Sequence, residues 1–106
     1  MSDNNDGPIF SVLDGKVTGY VVSGAGDANY NGTYCLAGTV RGKNYYQKGN
    51  YYIFWYNVWG VNFGGTNVPD PDYYNSTDNA SATPPTTGWQ RNYGPSPAPS
   101  LTSTTC

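Results

Sequence analysis

A small all-β domain, a barrel or sandwich of about seven or eight short antiparallel strands with flexible N- and C-terminal arms, is the fold this sequence predicts. Three observations carry it. Aromatic residues make up 16% of the 106 residues, with eleven Tyr and three Trp, and such side chains suit a pleated, half-buried surface. The stock of a helical core is missing, since Leu occurs only at 13, 36 and 101 and Met only at 1. Fourteen Gly and eight Pro place turns at short intervals. No stretch shows a helical period of useful length.

Along the chain, residues 1–8 read as a polar leader, 9–93 as a single β domain and 94–106 as a Pro/Ser/Thr-rich tail. Ile9–Leu13, a turn at Asp14–Gly15 and Val17–Val22 form an expected hairpin. In its second arm Thr18, Tyr20 and Val22 face one way, and Val17, Gly19 and Val21 the other. Ser23–Asn29 is a loop of small residues. Gly32–Leu36 and Gly38–Val40 are short strand candidates split at Ala37. Gly42–Asn44 and Lys48–Asn50 are expected turns on either side of Tyr45–Gln47.

The run Tyr51–Tyr56 (YYIFWY) is wholly β-branched or aromatic, so it is expected as a central strand covered on both faces. Asn57–Val58 is a poor two-residue turn, because Val resists positive φ. Trp59–Phe63 alternates large apolar with small or polar residues, as a half-exposed strand does. A Pro-bearing loop leads to Tyr73–Tyr74, and Gly88–Tyr93 returns Trp89 to the body.

Charge is sparse, with seven Asp, no Glu, three Lys, two Arg and no His, for a net charge of −2. Such a surface gives no electrostatic reason to bind nucleic acid or anionic membranes. No apolar run approaches membrane-spanning length. The polar start MSDNNDGP does not resemble a signal peptide.

The inventory also speaks against catalysis. No His is present to activate Cys35, and two distant thiols make no four-ligand zinc site. Cys35 and Cys106 are compatible with an internal bridge, with an intermolecular one, or with free thiols. Asp70, Asp72 and Asp78 match no calcium loop, and two aspartates of one loop do not provide the opposed carboxylates of a glycosidase. No metal, cofactor or enzymatic activity is therefore expected.

Arg41, Lys43 and Lys48 beside Tyr45 and Tyr46 form a small basic patch, too thin for single-strand nucleic-acid binding. Three glycosylation sequons begin at Asn31, Asn75 and Asn79. Trp55, Trp59 and Trp89 are expected to stack in one core, the alternative being an exposed platform for sugars.

The motifs Asn31-Gly32-Thr33-Tyr34, Gly42-Lys43-Asn44-Tyr45-Tyr46, Ile53–Trp55, Trp59, Tyr73-Tyr74-Asn75-Ser76 and Thr83-Pro84-Pro85…Gly88-Trp89 run in a fixed order. In them the chain resembles a small repeated β module of uncharacterised bacteriophage virion or tail-associated proteins and bacterial surface proteins. The likeness spans residues 22–99, and Pro97-Ala98-Pro99 resembles the join between copies. A departure falls at Asn57-Val58, where such modules carry Asp-Gly or Gly-Gly.

The resemblance implies a structural or adhesive role on a virion or at the cell surface, with no catalytic residues. The leading expectation is a non-enzymatic structural subunit: a virion decoration, tail or fibre module, or the unit of an extracellular filament. Its partners would be copies of itself or other virion or surface proteins, with Ile9, Phe10, Val12 and Leu13 of the leader as the assembly contact. The alternative is a glycan-binding adhesion module that stacks its ligand on Tyr45, Tyr46, Tyr73 and Tyr74.

Overall fold

The computed structural model describes residues 16–106, so the leader, the assembly candidates Ile9, Phe10, Val12 and Leu13 and the Asp14–Gly15 turn lie outside the described residues. Eight strands follow: β1 (Gly19–Ser23), β2 (Gly32–Val40), β3 (Lys43–Lys48), β4 (Tyr51–Tyr56), β5 (Val58–Phe63), β6 (Tyr73–Asn75), β7 (Gln90–Arg91) and β8 (Ser100–Thr104). One turn of 3-10 helix, Ala28–Tyr30, precedes β2. The strands form one antiparallel sheet in the order β7-β6-β5-β4-β3-β2-β1-β8, curled into a half-barrel.

Backbone chemistry sets the hairpins. Arg41 and Gly42 join β2 to β3 with φ of 51° and 83°, so this turn sits one residue earlier than expected. Gly49 opens the β3–β4 turn at φ 57°. Between β4 and β5 only Asn57 takes a positive φ, at 63°, while Val58 already pairs with Tyr56. The difficulty anticipated at Asn57-Val58 is thus absorbed by Asn, which tolerates the left-handed region. The expected break at Ala37 is a register shift between Leu36 and Gly38 inside one continuous strand, a β-bulge that bends β2.

Strand β4 is central, and both of its faces are covered. Ile53 joins the main core on the concave face, with Tyr51 and Trp55 packed against it. Phe54 is fully buried on the opposite face, across from Gly60. A Cβ on Gly60 would meet the Pro71 ring at 2.5 Å, so glycine there admits the proline onto this face. The concave core draws on every long strand: Tyr20, Val22, Tyr34, Tyr46, Trp59 and Leu101 are all buried in it.

Two corrections concern the ends of the chain. The Pro/Ser/Thr-rich stretch 94–106 is not all tail, because Ser100–Thr104 pairs along the whole of β1. Cys106 then closes a disulfide to Cys35 on β2, which ties this stretch to the body. Strand β1 therefore lies between β2 and β8, with both edges occupied. No edge of β1 is left for the hairpin partner expected at Ile9–Leu13.

Candidate functional site

Aromatic polar tips hold the two open ends of the half-barrel. At one end Tyr30 packs edge-on against Tyr51 and Tyr73, with ring centroids 5.0 and 5.3 Å apart. Its hydroxyl donates to Asp72 Oδ2 at 2.5 Å. Tyr34 donates to the Tyr30 carbonyl at 2.7 Å, and Tyr73 to the Pro95 carbonyl at 2.7 Å. Burial first, then the hydrogen bond to Asp72 and its charge, push the Tyr30 hydroxyl far above the ordinary phenol value. Burial also raises Tyr34, with charges at Tyr51 and Asp27 adding to it. Tyr46 is raised by burial and by Tyr20, against an opposing hydrogen bond from Asn44.

At the other end the segment 76–89 lies over the concave face. Trp55 Nε1 donates to the Asn79 carbonyl at 2.8 Å, and Trp59 Nε1 to the Ser81 carbonyl at 3.1 Å. Asn75 Nδ2 reaches the Thr87 carbonyl at 2.8 Å, and the Thr86 carbonyl accepts from Leu101 N–H at 3.0 Å. The segment therefore connects β4 and β5 with β8, across the open side of the sheet.

The four tyrosines expected to stack a ligand are not brought together. Tyr46 and Tyr73 are buried, at 3% and 0% exposure, and belong to the core. Neighbouring residues of a strand point to opposite faces, so Tyr45 and Tyr74 lie on the convex side. Tyr45 meets Tyr52 there with centroids 6.2 Å apart and rings tilted by 43°, which is no flat platform. Of the three Trp expected in one core, Trp59 and Trp89 are buried in it and Trp55, partly buried, packs against that core.

A cleft of about 260 Å³ opens on the convex side, lined by Val58, Pro69, Asp70, Pro71, Tyr74 and Asn92. Its lining combines a phenol ring, a carboxylate and an amide. Among the described residues, no group of three or more His, Cys, Asp or Glu is placed to hold a metal ion. Asp72 is engaged by Tyr30, and Asp78 by the Ala80 N–H.

The basic residues turn onto their own aromatic neighbours. Arg41 stacks 4.3 Å from the Tyr56 ring centroid and donates to the carbonyls of Trp55 and Thr66. Lys43 lies 4.9 Å from the Trp55 centroid. Lys48, at the far end of β3, lies over Tyr51 and donates to the carbonyls of Asn29 and Asn31. The patch anticipated from sequence is thus divided between two ends of the sheet.

The sequons differ sharply. Asn75 is fully buried, with its amide donating to Thr87 and its oxygen accepting from Thr77. Asn31 is half-buried and hydrogen-bonded to Ala25 through both ends of its amide. Asn79 is exposed. No helix among the described residues is long and apolar enough to cross a membrane.

The Tyr30–Asp72 contact and the Trp-held segment 76–89 went unforeseen, because each joins residues more than twenty positions apart. Compared with known protein families, curated proteins and solved structures, the chain has no match.

Proposed function

We propose that the protein is a non-enzymatic structural subunit of a virion or extracellular assembly, built through self-association. The observation that carries this reading is the unclosed sheet, which ends on the five-residue edge strand β8. Unpaired edges recruit further strands, and proteins that do not use them usually shorten, charge or cover them. β8 carries no charged residue, and among the described backbone hydrogen bonds the segment 76–89 covers its edge at Leu101 alone, through the Thr86 carbonyl.

The Cys35–Cys106 bridge supports the compartment, since disulfides persist in oxidising surroundings such as the cell exterior or a virion surface. The core aromatics Tyr20, Tyr30, Tyr34, Tyr46, Trp59 and Tyr73 support it as well, because their burial leaves them to the scaffold rather than to a ligand. Light scattering and electron microscopy of the full chain across a wide concentration range test the reading. Growth of defined oligomers or fibres is the expected result, and a strict monomer at high concentration overturns it.

A second reading, glycan adhesion, is favoured by the cleft at Tyr74, Asp70 and Asn92, whose ring, carboxylate and amide suit a sugar's faces and hydroxyls. Saturation-transfer NMR against neutral oligosaccharides separates the two readings.

A further inference from the structure

The last strand is held by unequal means on the two sides of Leu101. Leu101 itself is buried, at 4% exposure, and its N–H is taken by the Thr86 carbonyl. Just before it, the Pro97 carbonyl accepts from Gly26 N–H at 2.9 Å. Beyond it no side chain is buried: Thr104 is half-buried, and Thr102, Ser103, Thr105 and Cys106 are exposed. Among the described residues, three things keep this end in place. The first is the ladder to β1. The second is a pair of exposed hydrogen bonds, Thr105 Oγ1 to the Lys16 carbonyl and Cys106 N–H to Thr18 Oγ1, each 2.7 Å. The third is the covalent bond from Cys106 to Cys35. A chain end held only by exposed hydrogen bonds opens at low cost, so the covalent bond is what sets this end apart from a fraying terminus.

What this end covers is equally specific. The Thr18 carbonyl accepts from Leu36 N–H at 2.7 Å, so alternate residues Thr18, Tyr20 and Val22 turn their main-chain groups toward β2. Gly19, Val21 and Ser23 then face β8, opposite Thr104, Thr102 and Ser100. Departure of residues 102–106 would bare Gly19 and Val21 and leave Ser23 covered beside the anchored Leu101. β1 carries no charged residue, and a bared, uncharged edge is one that recruits strands.

We infer that the Cys35–Cys106 bond is a thiol-sensitive lock on the end of β8: its reduction lets residues 102–106 leave β1 while the rest of the sheet stands, and its re-formation shuts that edge again. The lock goes beyond the self-association reading and does not need it, since it acts within a single chain. The reductant is a low-molecular-weight thiol. Its thiolate attacks Sγ of the exposed Cys106, and Cys35 leaves as a thiolate that takes up a proton. A second thiolate then displaces Cys106 from the mixed disulfide. Two small thiols thus become one small disulfide while the protein disulfide becomes two thiols. Such thiols are plentiful in reducing compartments and scarce outside them, so the edge opens in the first setting and stays shut in the second.

Residue-resolved amide hydrogen exchange on the oxidised chain, and on the chain in excess dithiothreitol, tests it. Gly19 and Val21 N–H report the edge facing β8, and Tyr20 and Val22 N–H the edge facing β2. Pinned at both Leu101 and Cys106, an opened end is a closed loop of about five residues, and freeing one end of such a loop favours opening by a factor on the order of 30. Reduction should raise the Gly19 and Val21 rates relative to those of Tyr20 and Val22 by about that factor. Oxidised glutathione should reverse the change as both titratable thiols disappear. Cys106→Ser should show the same separation without reductant. A general loss of stability moves both pairs of amides together, so equal acceleration in the reduced chain overturns the lock. Unchanged rates with both thiols free, no separation in Cys106→Ser, or a bond that dithiothreitol leaves intact in the folded chain overturn it as well.

Discussion

The Cys106 sulfur lies directly above Gly19: a Cβ built on that glycine would stand 2.6 Å from Cys106 Sγ and 2.6 Å from the Tyr34 carbonyl oxygen. Gly19 sits in β1 opposite Cys35 on one side and Thr104 on the other. The disulfide therefore passes over β1 at the one residue without a side chain, joining the two strands that flank it.

Gly19→Ala should accordingly prevent the bridge from closing or force β8 away from β1. The bridge spans 71 positions, and chain-entropy reasoning gives a loop of that length a contribution of about 4 kcal/mol. Most of this should be lost, as a lower denaturant midpoint together with two titratable thiols. A variant with wild-type stability and no free thiol would show that the backbone has room the structure does not display.

The position of β4 was legible because YYIFWY can only be satisfied by burial on both faces, and it is buried so. The stretch SLTST was not legible, since its composition is that of a linker. It becomes a strand because β1 offers an open edge and the Cys106 bond holds it there. Tyr45 and Tyr46 show a second limit. They are identical in chemistry, and only register, fixed by Tyr46 pairing with Ile53, decides that one is core and the other is not. The contacts of Asp72 and Ser81 lay beyond sequence reasoning, because nothing local specifies a partner across the sheet.

Alkali should unfold the protein through its buried phenols. The folded-state values of Tyr30, Tyr34 and Tyr46 are raised above that of an unfolded tyrosine, about 10. Below that pH both states keep the proton, and the stability these groups contribute is fully present. Above it only the unfolded chain releases protons, so stability falls as pH rises. Ultraviolet phenolate absorbance should show that Tyr30, Tyr34 and Tyr46 titrate only with loss of tertiary structure. Reversible titration of all eleven tyrosines with the fold intact would contradict the burial assigned to these side chains.

In a glycosylating host the sequons should separate by exposure. Asn79 should carry a glycan on the folded protein. Asn75, whose amide is buried and bonded to Thr87 and Thr77, should stay bare. Peptide mass spectrometry of the secreted, folded fraction decides this, and occupancy at Asn75 in that fraction would sink it.

The two tryptophans of the β4–β5 hairpin should respond unequally to the same substitution. Trp55 and Trp59 are cross-strand partners, and each donates its indole N–H to a carbonyl of the segment 76–89. Trp59 is fully buried, whereas Trp55 is partly exposed. Trp59→Phe leaves a void in the core and removes the donor to a part-buried Ser81 carbonyl, so a loss of about 2–3 kcal/mol is expected. Trp55→Phe leaves an Asn79 carbonyl that water can reach, and the loss should stay below about 1 kcal/mol. Amide hydrogen exchange across 76–83 should accelerate in Trp59→Phe well before global unfolding, because that indole anchors the segment to the core. Equal, small losses in both variants with unchanged exchange would mean that the segment is held elsewhere, through Asn75 and Leu101, and that the indole bonds are incidental to its position.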